Sequence, residues 1–421
     1  MSAVLGCGSA RISILRSFDN HRIVPHPHPM MLRQPSNDLY RSLLPLAVGT
    51  FVLGTDGFVL SGLLPLIAAD LHVSVSTAGQ LTTMFAWTYA IAAPLIAAAT
   101  GSWDRRVLLG GGAALFVIGM IGQAAGESFA VMAAARIVAA IGAAAFQANA
   151  FAVAGVVADD AHRGRALSIV TAGITLSSVA GVPIGIFAER WIGWRGVLWG
   201  IAVGGAVAAL LVLLLPRVTL PSTGLRARIG VLTRPPVLRV LIVTTTQITA
   251  VYTTVVYLPV VVAASVPQSM LAWLLLAMGI GQVIGNAQAG RAVDRYGPLR
   301  TLTVGLAGAL VGLTLLGVAI HAAWAVFVVL AITGLFGSAV LVPQQYRLFA
   351  IAHDAPTVAL GLNGSAIYLG AGIGSIIGGT VLDSSGSQWL PWTSALIATL
   401  ALALALQKAP SATKAPAPAQ A

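Results

Sequence analysis

The sequence predicts an all-α membrane protein with 12 transmembrane helices in two pseudo-symmetric six-helix bundles. Three observations predict it. Of the 421 residues, 57% are hydrophobic and only 8% charged, with a mean hydropathy of +0.91, far more apolar than a soluble chain of this length. The apolar residues gather into runs of the roughly 20 residues that a spanning helix needs, and the breaks between them hold nearly all the Arg, Lys, Asp and Glu. The second half of the chain also repeats features of the first at corresponding places.

In chain order, the first 40 residues are polar, with Arg11, Arg16, Arg22 and Arg33 and the run Pro25-His26-Pro27-His28-Pro29. They lack the apolar core and small-residue cleavage site of a signal peptide and read as a disordered cytoplasmic extension. His26 and His28 are a weak metal-binding candidate, and Met30 or Met31 is an alternative start. Six spans follow at about 43–67, 78–99, 107–125, 129–157, 166–188 and 196–216, forming a bundle over 41–216. The break at 217–238, with Arg217, Arg226, Arg228 and Arg234 and flanked by Arg239, reads as a cytoplasmic linker. Six more spans, at about 239–264, 269–289, 300–319, 323–349, 358–381 and 391–407, form a second bundle over 239–407. The Ala- and Pro-rich stretch 408–421 reads as a disordered cytoplasmic tail.

A formal charge of +11 raises the question of nucleic acid, but its distribution argues for a bilayer. If the N-terminus is cytoplasmic, only Arg190 and Arg195 among the 23 Lys and Arg lie on the far side, and Arg136 lies within a span. This is the positive-inside bias of an inner-membrane protein with both termini in the cytoplasm. The single Cys7 excludes an intrachain disulfide.

Two loops echo each other. Between spans 2 and 3 the chain reads Gly101-Ser-Trp-Asp104-Arg105-Arg106, and between spans 8 and 9 it reads Gly290-Arg-Ala-Val-Asp294-Arg295-Tyr-Gly297-Pro-Leu-Arg300. Glycine permits the tight reversal, and the Asp can cap the next helix or pair with Arg across that face. A contact made in only one orientation of the two halves acts as a latch. The plainer reading is a solvated positive-inside loop.

Asp56 is the only one of the 12 acids in the middle of a long apolar run. An ionised Asp at a helix centre costs roughly 3 kcal/mol, so it needs a partner, a watery cavity or a proton. Counted from the span ends, Arg136 lies within about 5 Å of the same depth, which makes a direct or water-bridged pair feasible. Arg136 favours the charged form of Asp56 and burial opposes it, so the pair suits a proton-coupling role. A static ion pair that fixes helix packing is the alternative.

In span 5, Gly181 and Gly185 form a small face with Pro183 between them, which lets a neighbour approach and kinks the helix. Polar residues inside other spans are candidates to line a substrate cavity. They are Gln147 and Asn149, Gln247, Gln282 and Asn286, Gln344 and Gln345, and Asn363 and Tyr368. Bonds between helices are the competing use of such groups in lipid. Trp87, Tyr89, Tyr252 and Tyr257 offer aromatic surface to a bulky or cationic substrate, or simple packing.

At these residues the chain resembles the major facilitator superfamily, and within it the twelve-helix drug:proton antiporter branch that includes arabinose-efflux-permease-like proteins. Gly290 to Arg300 is similar to the superfamily's loop signature, and the copy at Gly101 is one residue shorter. Gly54-Thr55-Asp56-Gly57-Phe58-Val59-Leu60-Ser61-Gly62-Leu63-Leu64-Pro65 resembles the branch's first-span signature. Many members carry Glu where this chain has Gly57, so the acid here is rotated by about 100°. Arg136-Ile-Val-Ala-Ala-Ile-Gly142 resembles an Arg-x-x-x-Gly motif whose Arg the family links to proton transfer. Gly173 with Gly181-Val-Pro183-Ile-Gly185 resembles the Gly and Pro motif that marks exporters, with Ile186 in place of its final Gly.

The resemblance implies a proton-coupled secondary transporter working by alternating access, most simply an exporter of drugs or small amphiphilic metabolites. Proton-coupled movement of a sugar or other small metabolite, inward or outward, is the alternative. No Gly-x-x-x-x-Gly-Lys-Ser/Thr loop occurs, so ATP is not the expected direct fuel. A membrane enzyme needs clustered His, Asp or Glu within the spans, and the seven His lie outside them. A transport-dead sensor on the same scaffold stays open. The expected partners are a small-molecule substrate, protons and the lipid bilayer, with no nucleic acid and no cofactor, and the chain is expected to act as a monomer.

Overall fold

A computed structural model describes residues 36–158, 162–219 and 224–407. Cys7, His26, His28, Met30, Met31 and the tail from Lys408 lie outside the described residues. Every regular element among the described residues is helical. Helix α1 (Ser36–Asp70) starts ahead of the apolar run that announces it. Helices α2 (Val75–Ala99), α3 (Arg105–Ala125) and α4 (Phe129–Val157) start where Ser74, Asp104 and Ser128 accept backbone N–H groups, as N-caps do.

The fifth span is composite. Helix α5 (Arg163–Leu176) passes through one π-helical turn, Ser177–Gly181, into α6 (Val182–Val212). Pro183 stands just past that turn, where its missing N–H breaks the ordinary ladder. Within α6, Gly193 has φ 68° and ψ 168°, a conformation that glycine adopts without steric cost. The chain breaks there into the fifth and sixth expected spans. Eleven helices are long and apolar enough to cross a membrane among the described residues, and Arg165–Val212 carries two of the twelve expected spans. The chain is therefore a multi-pass membrane protein with the two-bundle architecture expected.

A short helix, α7 (Leu225–Leu232), forms in the linker, which the sequence did not announce. Spans 7 and 10 are each broken. The seventh comprises α8 (Pro235–Val255) and α9 (Leu258–Val262), and the tenth α12 (Ala323–Ser338) and α13 (Leu341–Ile351). The remaining spans are α10 (Leu271–Tyr296), α11 (Pro298–Ala319), α14 (Pro356–Ser385) and α15 (Leu390–Leu406).

In lipid, burying apolar area does not draw helices together, so close backbone packing must. A Cβ on Gly173, Gly181 or Gly185 would run into Ala47, Thr55 or Val59 of α1 respectively. One face of α5 and α6 thus presses along α1 on both sides of Asp56. Gly370, Gly374 and Gly378 of α14 seat on the carbonyls of Thr245, Thr249 and Thr253 in α8, and Gly281 and Gly285 of α10 seat on Ala331 and Leu335 of α12.

The halves meet at mid-depth and toward the end that carries Asp70 and Arg190. There Ser375 Oγ donates to the Gly79 carbonyl at 2.8 Å, Tyr257 packs on Gly79, and Gly379 faces Ser76. Arg190 donates to the Ser269 carbonyl, and Phe187 meets Trp273 edge to face with centroids 6.3 Å apart. At the opposite, arginine-rich end, α7 lies against α2 and α14. Arg234 at the start of α8 grips Asp354 with two bonds of 2.6 and 2.7 Å.

Gly173→Ala is expected to cost about 1–3 kcal/mol by overpacking against the Ala47 carbonyl, read as a lower melting temperature in detergent. The bonds from Arg234 hold the Asp354 carboxyl down at about 2, below its ordinary value near 3.9. A depressed carboxylate stabilises the fold above the unfolded value and ceases to as pH falls through the folded one. The melting difference between wild type and Asp354→Asn is accordingly expected at pH 6 and should fade between about pH 4 and 2.

Candidate functional site

The site is built where α1, α3 and α4 of the first half meet α2 and, across the divide, α14. Asp56 is fully buried on α1 and Arg136 is 1% exposed on α4. One guanidinium nitrogen, Nη1, donates to both Asp56 carboxylate oxygens at 2.7 Å. The same nitrogen lies 3.4 Å from Gln123 Oε1 on α3, and the guanidinium carbon stands 4.5 Å from the centre of the Phe85 ring on α2. Arg136 Nε is buried with no hydrogen-bond partner. The pair is therefore enclosed by a ring face and an amide, while one N–H of the cation stays unsatisfied.

Phe85 and Tyr89 lie one turn apart on α2 and share a face. Tyr368 of α14 stacks on Tyr89 with centroids 3.7 Å apart and planes 27° apart, and its ring lies 6.2 Å from Phe85. Its hydroxyl donates to Gln147 Oε1 of α4 at 3.2 Å. A contact chain thus runs from Asp56 through Arg136, Phe85 and Tyr89 to Tyr368, crossing from one half to the other. Asp56, Arg136, Tyr89, Gln147 and Tyr368 are brought together.

Several other candidates are employed elsewhere. Asn149 accepts from Arg105 Nη1 at 3.0 Å. Gln344 donates to the Val240 carbonyl and to Thr244 Oγ1 and accepts from Arg347, while Asn363 accepts from Thr244. These bonds tie helices within one half, the competing use of polar groups in lipid. Gln247 is fully buried with neither amide atom partnered. It lies on α8 between Val243 and Ala250, which pack on α11 and α15 rather than on the first half. Gln282 and Asn286 are half-buried and Gln345 is exposed. Trp87 is 41% exposed with its indole over Gly372. Tyr252 packs by Gly374, and Tyr257 donates to the Ser375 carbonyl at 2.9 Å.

The two loop copies are wired differently. Asp104 caps α3 through Arg106 N at 2.9 Å and lies 3.9 Å from Arg217, and Arg105 donates to the Gly101 carbonyl at 2.9 Å. In the second copy Asp294 accepts from Tyr346 at 3.3 Å, and Arg295 lies over the Tyr296 ring at 5.3 Å. Gly290 is open to a side chain, Gly297 turns the chain at φ 83°, and Arg300 is exposed. The named contacts of Arg105 and Asp294 stay within their own halves and those of Asp104 reach no farther than Arg217 at the start of the linker, so among the described residues these contacts do not join the halves.

Gln123 and Phe85 were not singled out in the sequence. Gln123 is the amide within the third apolar run, and Phe85 shares the helical face of Tyr89. Both signals were present but gained meaning only from Arg136. Among the described residues no three His, Cys, Asp or Glu gather to hold a metal ion.

Arg136→Ala is expected to cost about 3–5 kcal/mol of stability, because it strands a buried carboxylate. The double variant Asp56→Asn with Arg136→Gln, which leaves no charge uncompensated, should recover much of that loss in thermal melting. Equal destabilisation by both variants would show that the pair does not carry the coupling energy.

The sequence pattern of the Major Facilitator Superfamily matches residues 46–268 and 240–421. The chain is 34% identical over 369 residues to a chloramphenicol resistance protein of Streptomyces lividans, covering 86% of this chain and 94% of that protein. It is 29% identical over 385 residues to the inner membrane transport protein YdhP of Escherichia coli strain K12, covering 87% and 95%. Among solved structures, a D-xylose-proton symporter superposes with a TM-score of 0.73 at 16% identity, over 88% of this chain and 98% of that one. A bacterial homologue of the human lysosomal transporter Spinster, inward-facing and unoccupied, gives 0.70 at 16% identity, over 88% and 97%. The two solved structures share the fold, and the sequence relatives are transport and resistance proteins rather than enzymes. By sequence and by fold, this membrane transporter belongs to the major facilitator superfamily.

Proposed function

We propose that the chain is a proton-coupled antiporter of the inner membrane that exports drugs or small amphiphilic metabolites, working as a monomer by alternating access. The arginine-rich end, with both termini, faces the cytoplasm, as the positive-inside bias favours. The observation that carries this reading is the buried Asp56–Arg136 pair beneath the Tyr89–Tyr368 stack, where the two halves touch. Likeness to a chloramphenicol resistance protein supports a drug-like cargo, and the Gly and Pro face of α5 and α6 supports export.

In this reading Asp56 is the coupling group. As a carboxylate it neutralises Arg136. When a proton neutralises Asp56, the guanidinium keeps only Gln123 and the Phe85 face, too little for a buried cation. A cargo carrying a hydroxyl or amide donor, an acceptor oxygen and a flat ring fits the ionised pair instead, because the ring can replace one tyrosine of the stack, the donor can bond the Asp56 carboxylate and the oxygen can take the partnerless Arg136 Nε–H. A proton on Asp56 removes that carboxylate acceptor, so cargo and proton compete for one pair, which is the requirement for exchange. The membrane potential contributes about 2.3 kcal/mol per charge per 100 mV, and each pH unit about 1.4 kcal/mol.

The loops at Gly101–Asp104–Arg105 and Gly290–Asp294–Arg295–Arg300 serve as cytoplasmic gates that engage when the halves rock the other way. With the halves in contact at the opposite end, Asp104 bonds to the first half and to the linker and Asp294 to the second half, and among the described residues neither makes a bond across the divide.

Proteoliposomes with an imposed pH gradient test the coupling. Asp56→Asn should abolish gradient-driven accumulation while leaving cargo counterflow measurable, and undiminished gradient-driven flux would remove Asp56 from the role. Tyr89→Ala should weaken aromatic cargo by about fivefold, the worth of one ring pair. In intact cells lacking other efflux pumps, an uncoupler should raise accumulation of the cargo. A fall would mean import.

A further inference from the structure

At the arginine-rich end of the second half, α10 and α12 touch backbone to backbone at Gly285, where a Cβ would meet the Leu335 carbonyl. Beyond that contact they part. The line of α12 breaks at Ala339–Val340 before α13 begins, while α10 continues straight to Tyr296. Ala289 and Ala292 are too small to fill the widening gap. The result is a crevice of about 420 Å³ among α10, α11 and α12, away from the Asp56 site. Its walls include Ala292, Val304, Gly305 and Phe336, and its polar members, Gln288, Tyr296, Arg300 and Thr301, belong to α10 and the start of α11.

Val304 is 60% exposed and Tyr296 54%, so the crevice opens on the outer face of the bundle, at the level of lipid. The one charge in its lining is Arg300, two residues into α11, and Arg295 lies over the adjoining Tyr296 ring. No hydrogen bond or ion pair engages Arg300 among the described residues. An apolar slot open sideways to the bilayer, with a cation at its mouth, is complementary to a molecule with a long apolar tail and an anionic head.

The geometry points to a binding site for one anionic phospholipid, with an acyl chain in the crevice and its phosphate on Arg300, assisted by Arg295. In the proposed orientation, the leaflet is the inner one. The phosphate takes the guanidinium in the forked geometry that Arg offers, and basic pockets between helices on the cytoplasmic side suit such headgroups. The acyl chain fills space beside the bend between α12 and α13, so a bound lipid favours the bent form of the tenth span.

The test is native mass spectrometry of the full-length, detergent-purified chain titrated with phosphatidylglycerol or phosphatidylcholine of matched chains. Micelles expose both ends, so the result is independent of orientation and of transport. Wild type should retain one phosphatidylglycerol in preference to phosphatidylcholine. Arg300→Gln should weaken phosphatidylglycerol about fivefold, the equivalent of the roughly 1 kcal/mol of one Arg near an anionic surface, while leaving phosphatidylcholine unchanged. Ala292→Phe, which fills the slot, should weaken both lipids, and Arg226→Gln on the linker should weaken neither. Equal retention of the two lipids by wild type would overturn the proposal. So would unaltered phosphatidylglycerol binding in both Arg300→Gln and Ala292→Phe, or full displacement by millimolar glycerol phosphate, which would mark an anion site with no role for the tail.

Discussion

The structure of the central region depends on one ion pair buried away from solvent. Asp56 and Arg136 are each expensive to bury, and each is tolerable only beside the other. Their surroundings make the pair conditional. Arg136 reaches both carboxylate oxygens through one nitrogen, leaves Nε unsatisfied, and among the described residues has Gln123 and Phe85 as further company. A forked pair with every donor satisfied would lock the helices. This one leaves a donor to spare.

The packing around α1 follows from the same requirement. A charge pair works only if its depth and direction are fixed, and α1 is clamped by α5 and α6 through Gly173, Gly181 and Gly185, with Thr50 donating to the Val170 carbonyl at 3.0 Å. The π turn at Ser177–Gly181 lies at the level of this clamp and also meets Gly279 of α10. A single irregular turn thereby touches both the helix bearing Asp56 and the opposite half. The Tyr89–Tyr368 stack gives the second link between halves, and Tyr257, Ser375 and Gly79 give the third. All are contacts that any relative movement of the two halves would have to break or remake.

Polar groups inside the bundles divide by whom they serve. Gln344, Asn363 and Thr244 satisfy one another and weld α8, α13 and α14. Asn149 anchors Arg105. Gln147 spends its carbonyl across the divide on Tyr368. Residue type does not distinguish these uses, since an amide in lipid needs a partner wherever it is. Direction does, and a rotation of 100° per residue turns a neighbour of a cavity residue toward an interior seam, as Gln247 shows.

The sequence by itself determined the membrane class, the number of spans, the twofold plan and the shared depth of Asp56 and Arg136. These follow from composition, run length and residue counting, quantities that are one-dimensional. It also carried the family, through motifs at Gly54–Pro65, Arg136–Gly142 and Gly290–Arg300. Only the tertiary structure decided which polar side chains meet. It selected Gln147 and Tyr368 from a longer set, added Gln123 and Phe85, broke spans 7 and 10, folded α7 in the linker, and gave Asp294 to Tyr346. Helix rotation, the π turn at Ser177–Gly181, the break at Ala339–Val340, and glycine-mediated approach set those outcomes, and each depends on neighbours that lie far away along the chain.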